Sequence, residues 1–335
     1  MGPNLTIALA MIAGAVAVAF LGVFERWGLK DRKSPMQFLV WGFSLSAVIL
    51  LAIYVVRWGL SWPEHLLPGF WTAIVGWVAA NYFINYLHAK AATYKEGEIG
   101  FTKPLQAMTP GLITVLAVLV GEMPGTVGLI GIGCMALGSW FILLPKDVKY
   151  WWEYLGPLSR LALIARYSTL SPTEKERVIV GYLALGSAAL GTFGLLFDGL
   201  YTRRGGDLQG LWLGMVVALG TLSCIYALRY RLSAEYRQSV WPKGKYLLAI
   251  VGFGAMIALA HWLIQPVFTE TLVAYVGTLK RLSILASVLL GYVLFSETDF
   301  RKRMGAAALI TAGAVLIASD DLPARLSAKI ELFGF

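Results

Sequence analysis

The sequence predicts an all-α integral membrane protein, with ten transmembrane helices arranged as two inverted five-helix repeats, and three observations predict it. The 335 residues are 58% hydrophobic and 14% charged, with a mean hydropathy of +0.69. That is more apolar surface than a water-soluble fold of this size can hide. The apolar residues gather into ten stretches separated by short polar connections, and the two halves of the chain repeat each other at a nearly constant offset.

A membrane-spanning helix takes about 20 mostly apolar residues, so ten of them use roughly 200 and leave only short loops. The stretches cover 5–25, 37–57, 69–89, 98–120, 125–144, 178–200, 208–229, 246–266, 271–295 and 303–319. The first reads as a retained helix, because residues 1–4 carry no basic side chain and the apolar run continues through Phe24. The longest polar interval sets Tyr150, Trp151, Trp152 and Tyr154 beside Lys146, Lys149 and Arg160. Aromatic and basic residues together favour the membrane surface, so this interval reads as an interfacial amphipathic linker. The expected organisation is a first repeat over 1–145, the linker over 146–177, a second repeat over 178–320 and a C-terminal tail over 321–335.

Phe20-Leu21-Gly22-Val23-Phe24-Glu25, ending the first stretch, matches Phe193-Gly194-Leu195-Leu196-Phe197-Asp198, ending the sixth. Gly121-Glu122 after the fourth stretch matches Ser296-Glu297 after the ninth, and the two offsets are 173 and 175 residues. A unit of five helices is odd, so its second copy enters the membrane from the other side, and such inverted repeats place a substrate site near the midplane between the halves.

Of the 28 lysines and arginines, 20 fall on the connections between stretches 1–2, 3–4, 5–6, 7–8 and 9–10 or, for Arg229 and Arg303, on the stretch ends that adjoin them. The opposite face has five, Arg57, Arg203, Arg204, Arg325 and Lys329. Short cytoplasmic loops accumulate positive charge, so this bias places both termini outside the cytoplasm. The net charge of +9 is thereby assigned to orientation in lipid, and no nucleic-acid partner is expected. The absence of an Arg/Ser-rich transit segment points to a bacterial inner membrane.

Enzymatic chemistry finds no support. There is no G-x-x-x-x-G-K-[ST] phosphate loop, and His65, His88 and His261 are too scattered for a metal site. No Ser/His/Asp arrangement is readable, and Cys134 and Cys224 lie in apolar runs. No cofactor and no metal are expected.

Charged groups deep in a membrane helix are costly, so they face aqueous cavities and mark pathways. Lys280 and Arg281 lie about ten residues into the ninth stretch, too deep to snorkel easily. An arginine fork holds a phosphate through two parallel hydrogen bonds, and a lysine adds a compact charge. Two adjacent cations with no carboxylate within a helical turn predict an anion site; the alternative is a structural pair with Glu25 or Glu98. Lys103, near the start of the fourth stretch, either joins that site or snorkels to the interface. Gln106, a turn deeper, either donates to the anion or ties helices together. Asn81, Asn85 and Lys90 on the third stretch, with His261 and Gln265 four apart on the eighth, either line a polar cavity or glue helices. Glu25 and Asp198 occupy equivalent places near opposite membrane faces, as gating or coupling residues or as interfacial carboxylates beside Arg26, Arg203 and Arg204. Glu122 and Glu297 sit at tight connections, where a carboxylate accepts from helix N-terminal amides, a structural role.

The stretch from Tyr86 to Leu143, with Ala91-Ala92-Thr93-Tyr94, Pro110 and Gly121-Glu122, resembles the core of the drug/metabolite transporter superfamily, of the ten-helix, EamA-like kind, and the pattern returns from Thr271 to Ala318. Within it, Val276-Gly277-Thr278-Leu279-Lys280-Arg281-Leu282-Ser283-Ile284-Leu285-Ala286-Ser287 is similar to the ninth helix of the triose-phosphate and sugar-phosphate translocators. There the resemblance implies that the Lys-Arg pair binds a phosphate; Gln106 stands where that family has a lysine, and Lys103 substitutes from the same helix face. The implied function is a secondary transporter that moves a small anionic, phosphorylated metabolite by alternating access, in exchange for phosphate. The alternatives are an exporter of neutral or cationic metabolites, favoured by a carboxylate-paired Lys280-Arg281, and a non-transporting scaffold subunit, favoured by a collapsed cavity. The resemblance implies termini in the cytoplasm, against the charge bias.

Overall fold

The computed structural model describes residues 3–30, 35–95, 102, 109–119, 123–143, 168–233, 236, 241–295 and 300–320. All regular structure among them is helical: α1 (Pro3–Leu29), α2 (Pro35–Trp58), α3 (Phe70–Thr93), α4 (Thr109–Leu119), α5 (Thr126–Leu143), α6 (Pro172–Arg204), α7 (Leu208–Leu232), α8 (Gly244–Ile264), α9 (Val267–Glu270), α10 (Val273–Leu279), α11 (Leu282–Phe295) and α12 (Phe300–Ser319).

Six spans among the described residues are long and apolar enough to cross a membrane: Thr6–Leu29, Pro35–Trp58, Pro172–Arg204, Leu208–Leu232, Gly244–Glu270 and Val273–Leu294. Thr126–Gly138 and Ala308–Ile317 are shorter apolar helices. The third expected span, α3, has 24 residues but is not among the six. Its polar residues, Asn81, Asn85, His88 and Lys90, lower its hydropathy, and three of them line an internal cavity. Val56, Val75, Leu228, Val293 and Val315 are between 62% and 88% exposed. Apolar side chains so fully exposed on long helices are matched to lipid, not to water.

Two boundaries differ from expectation. The sixth span begins at Pro172, because Ser171 and Glu174 form a capping box: the Glu174 N–H donates to Ser171 Oγ at 3.3 Å and the Ser171 N–H to Glu174 Oε2 at 2.8 Å. Proline at the first helical position suits the same end. Residues 172–177 of the expected linker are therefore helix; the aromatic part of the linker and the tail 321–335 lie outside the described residues. The ninth span is not one helix. It breaks at Lys280-Arg281, where the amides of Arg281, Ser283 and Ile284 donate three residues back, to the carbonyls of Thr278, Lys280 and Arg281. The tighter winding separates α10 from α11, and such mid-helix departures mark functional sites.

The main helix pairs are α1 with α8, α2 with α7, α3 with α6 and α5 with α12, while α11 packs on α1 and α4 on α6. Exchanging each helix for its counterpart in the other half turns α1·α8 into α6·α3 and α1·α11 into α6·α4, so the pattern maps onto itself. The α5·α12 contact is backbone on backbone, since a Cβ at Gly131 would lie 2.7 Å from the Gly313 carbonyl oxygen. In lipid, where burial of apolar area drives association only weakly, such close approach is a main source of cohesion.

Arg26 and Arg203, which the sequence counts among the charges that orient the chain, also act as clamps. Arg26 is buried, and its guanidinium donates to the carbonyls of Ala92 (3.1 Å), Tyr94 (2.6 Å) and Lys95 (2.8 Å) at the C-terminus of α3. Arg203 donates to those of Phe268 (2.9 Å) and Thr271 (2.9 Å), at the end of the α8–α9 segment. Each satisfies helix-end carbonyls, which lipid cannot.

Candidate functional site

A cavity of about 200 Å³ lies between the halves, walled by α1, α2, α3, α6, α8 and the α10–α11 break. On α3, Trp77, Asn81, Asn85 and His88 follow one another at helical spacing and all reach it. The side-chain amides of Asn81 and Asn85 donate to the carbonyls four residues back, at 3.0 and 2.7 Å, so these bonds stay within α3. From α6 come Ser187 and Asp198, from α8 His261, from the turn after it Gln265, from α1 Glu25, and from the break Lys280 and Arg281.

Asp198 is the hub. It is 7% exposed. Its Oδ1 accepts from the Trp77 indole N–H at 2.6 Å and from Gln265 Nε2 at 3.2 Å. Its Oδ2 lies 3.5 Å from Lys280 Nζ. Gln265 extends the network, donating to Thr202 Oγ1 at 2.7 Å. Two neutral donors thus fix one carboxylate oxygen while the other faces the cation, so the carboxylate keeps partners when the cation moves away. Lys280 Nζ also stands 5.9 Å above the ring of Phe268, a cation–π contact. Arg281 is 8% exposed and Glu25 7%, and both line the same wall.

Of the nine residues nominated from sequence, Lys280, Arg281, Asn85, His261, Gln265, Glu25 and Asp198 meet at this cavity. Lys103 and Gln106 lie outside the described residues, as do Glu98, Glu122 and Glu297. Two expectations change. Lys280 has a carboxylate partner, and among the described residues that partner is Asp198. Glu25 and Asp198 are not surface carboxylates on opposite faces, since both are buried on the wall of one cavity. Trp77 was missed, although its spacing of four from Asn81 places it on the same face.

Long lipid-facing helices around a buried polar cavity define an integral membrane protein. Residues 5–144 match the EamA-like transporter family, which supports the drug/metabolite transporter superfamily and a membrane transporter of small molecules. No curated protein matches the chain in sequence. One solved crystal structure of a protein superposes with a TM-score of 0.62 over 92% of this chain and 94% of its own, at 16% identity, a likeness of fold.

Proposed function

We propose that the chain is a secondary transporter that carries a small polar metabolite of no net charge through this cavity by alternating access. The observation that carries the reading is the Lys280–Asp198 pair, 3.5 Å apart across the cavity, with Arg281 and Glu25 beside it. Among the described residues of the cavity, two cations and two carboxylates balance. A phosphate dianion would have to part Lys280 from Asp198 and then lie among carboxylates in a low-dielectric site, which is strongly unfavourable. A zwitterion presents a carboxylate to Lys280 and Arg281 and an ammonium to Asp198 and Glu25, leaving no uncompensated charge. His261, Asn85 and Gln265 supply neutral hydrogen bonds around it.

A phosphorylated anion exchanged for phosphate is the second reading. It is favoured by Arg281 at the helix break, where the N-terminal amides of α11 begin and attract anions. Lys103 and Gln106 would complete that site. A thermal-shift screen of the detergent-solubilised protein separates the two, since a ligand at 100 times its Kd adds about 2.7 kcal/mol of apparent stability. Amino-acid-like zwitterions are expected to stabilise the protein and phosphate esters to leave it unchanged. Stabilisation by phosphate esters alone would overturn the first reading in favour of the second.

The halves act, in this account, as inverted repeats of a ten-span bundle. The end of α6 meets the loop before α3, the Leu67 N–H donating to the Arg204 carbonyl at 2.9 Å, and the Gly125 N–H donates to Asp320 Oδ2 at 3.1 Å. These are ends on the base-poor face. Arg26, Lys95 and Glu176 meet on the base-rich one. The base-rich face is cytoplasmic in this account. A reporter active only in the cytoplasm is therefore expected to stay silent when fused at Phe335, and a signal there would reverse the orientation.

A further inference from the structure

A second, larger cavity of about 570 Å³ opens beside the first, at the end of α6 that carries Arg203. Neighbouring residues of α6 and of the end of α8 line both. Asp198 lines the central cavity, while Thr202, a helical turn further on, lines the larger one. Likewise Gln265 lines the central cavity and its neighbour Pro266 the larger one. Gln265 is 2% exposed and bonds a residue of each lining, donating to Asp198 Oδ1 at 3.2 Å and to Thr202 Oγ1 at 2.7 Å.

We propose that the larger cavity is the vestibule through which substrate reaches Asp198, and that Gln265, latched to Thr202 and Asp198, is the gate between them. The proposal rests on the transport reading above. In the vestibule Arg203 donates to the carbonyls of Phe268 and Thr271 and Asp207 caps α7, accepting from the Gly210 N–H at 2.7 Å, so among the described residues the wall sets two carboxylates, Asp207 and Glu270, against one cation. Its walls favour an ammonium group entering first. The same group has Asp198 as its next partner, and binding there competes with Gln265 for Oδ1. The Gln265 amide also donates to the Asp198 backbone carbonyl at 3.2 Å, so arrival of the ammonium loosens one of the three bonds that hold the gate closed, which couples opening to substrate of the right charge.

The test reads access rather than transport. In a background carrying Cys134→Ser and Cys224→Ser, Ser187→Cys places one thiol on the central cavity, and a membrane-impermeant methanethiosulfonate reports its accessibility in proteoliposomes. Gln265→Ala is expected to speed labelling about tenfold, the equivalent of one lost hydrogen bond in the barrier. Thr202→Val, which removes the acceptor and keeps the shape, moves the rate in the same direction and carries the test if Gln265→Ala fails to fold. Adding Ala10→Trp, which fills the vestibule, is expected to cancel the gain. Unchanged labelling in both gate variants, or a gain that survives Ala10→Trp, overturns the proposal. Faster labelling without any uptake of zwitterions would leave the gate standing and count against the substrate reading instead.

Discussion

Lys280→Gln is expected to lower uptake about a hundredfold, the scale of one lost charge-assisted hydrogen bond. It is also expected to destabilise the solubilised protein by about 2 kcal/mol. Breaking a fully buried ion pair from one side costs about 3–5 kcal/mol, because a charge stays behind in low dielectric. The figure here is lower because the Lys280 side chain is 24% exposed, though that of Asp198 is only 9%. Asp198→Asn is expected to behave similarly, with the Asn oxygen still able to accept from Trp77 and Gln265. The double variant Asp198→Asn, Lys280→Gln leaves neither charge stranded and should recover about 1–2 kcal/mol of stability without recovering uptake. Thermal unfolding of the four proteins checks the cycle. Strict additivity would mean that the two groups do not interact.

Gly131→Leu and Gly313→Leu are expected to be the most damaging changes away from the cavity. A Cβ at Gly313 would stand 2.6 Å from the Gly131 carbonyl oxygen, and the reciprocal distance is 2.7 Å. The obstacle is backbone on both sides, so no rotamer change relieves it and α5 must part from α12. Overpacking of a fitted interior costs about 1–3 kcal/mol, and a rigid backbone contact places these variants at the upper end, about 3 kcal/mol. Gly133 and Gly305 provide the control, since a Cβ at either meets nothing within 4 Å. Their alanine variants should be neutral or up to about 1 kcal/mol more stable, from helix propensity. Equal melting temperatures for Gly131→Leu and Gly133→Ala would contradict the packing argument.

The fold class was legible because lipid imposes a compositional rule that no other solvent does, and α1, α2, α7 and α8 obey it over windows of 18 residues with few charges. The cavity was legible for the complementary reason. Polar groups such as Asn85, Gln265 and Lys280 are expensive in apolar helices, so the few present collect where they can be satisfied. What escaped was relational. Nothing local marks Asp198 as the partner of Lys280, since they sit on separate helices. The acceptors of Arg26 and Arg203 are backbone carbonyls, which have no sequence identity. The break between α10 and α11 is a change of hydrogen-bond register, and the Lys280-Arg281 pair at it announces charge in the sequence without announcing a break. Ser171-Pro172-Thr173-Glu174, by contrast, carried a readable capping box that a boundary set by hydropathy alone passed over.

Counterflow in proteoliposomes tests the central claim most directly. Vesicles loaded with an unlabelled zwitterionic amino acid, and challenged with the labelled compound outside, should accumulate label transiently when they contain the wild-type chain and not when they contain Lys280→Gln. Loading and challenge with a phosphate ester or inorganic phosphate should give no accumulation. Counterflow of the phosphate ester together with silence toward every zwitterion would contradict a charge-balanced cavity as the basis of substrate choice.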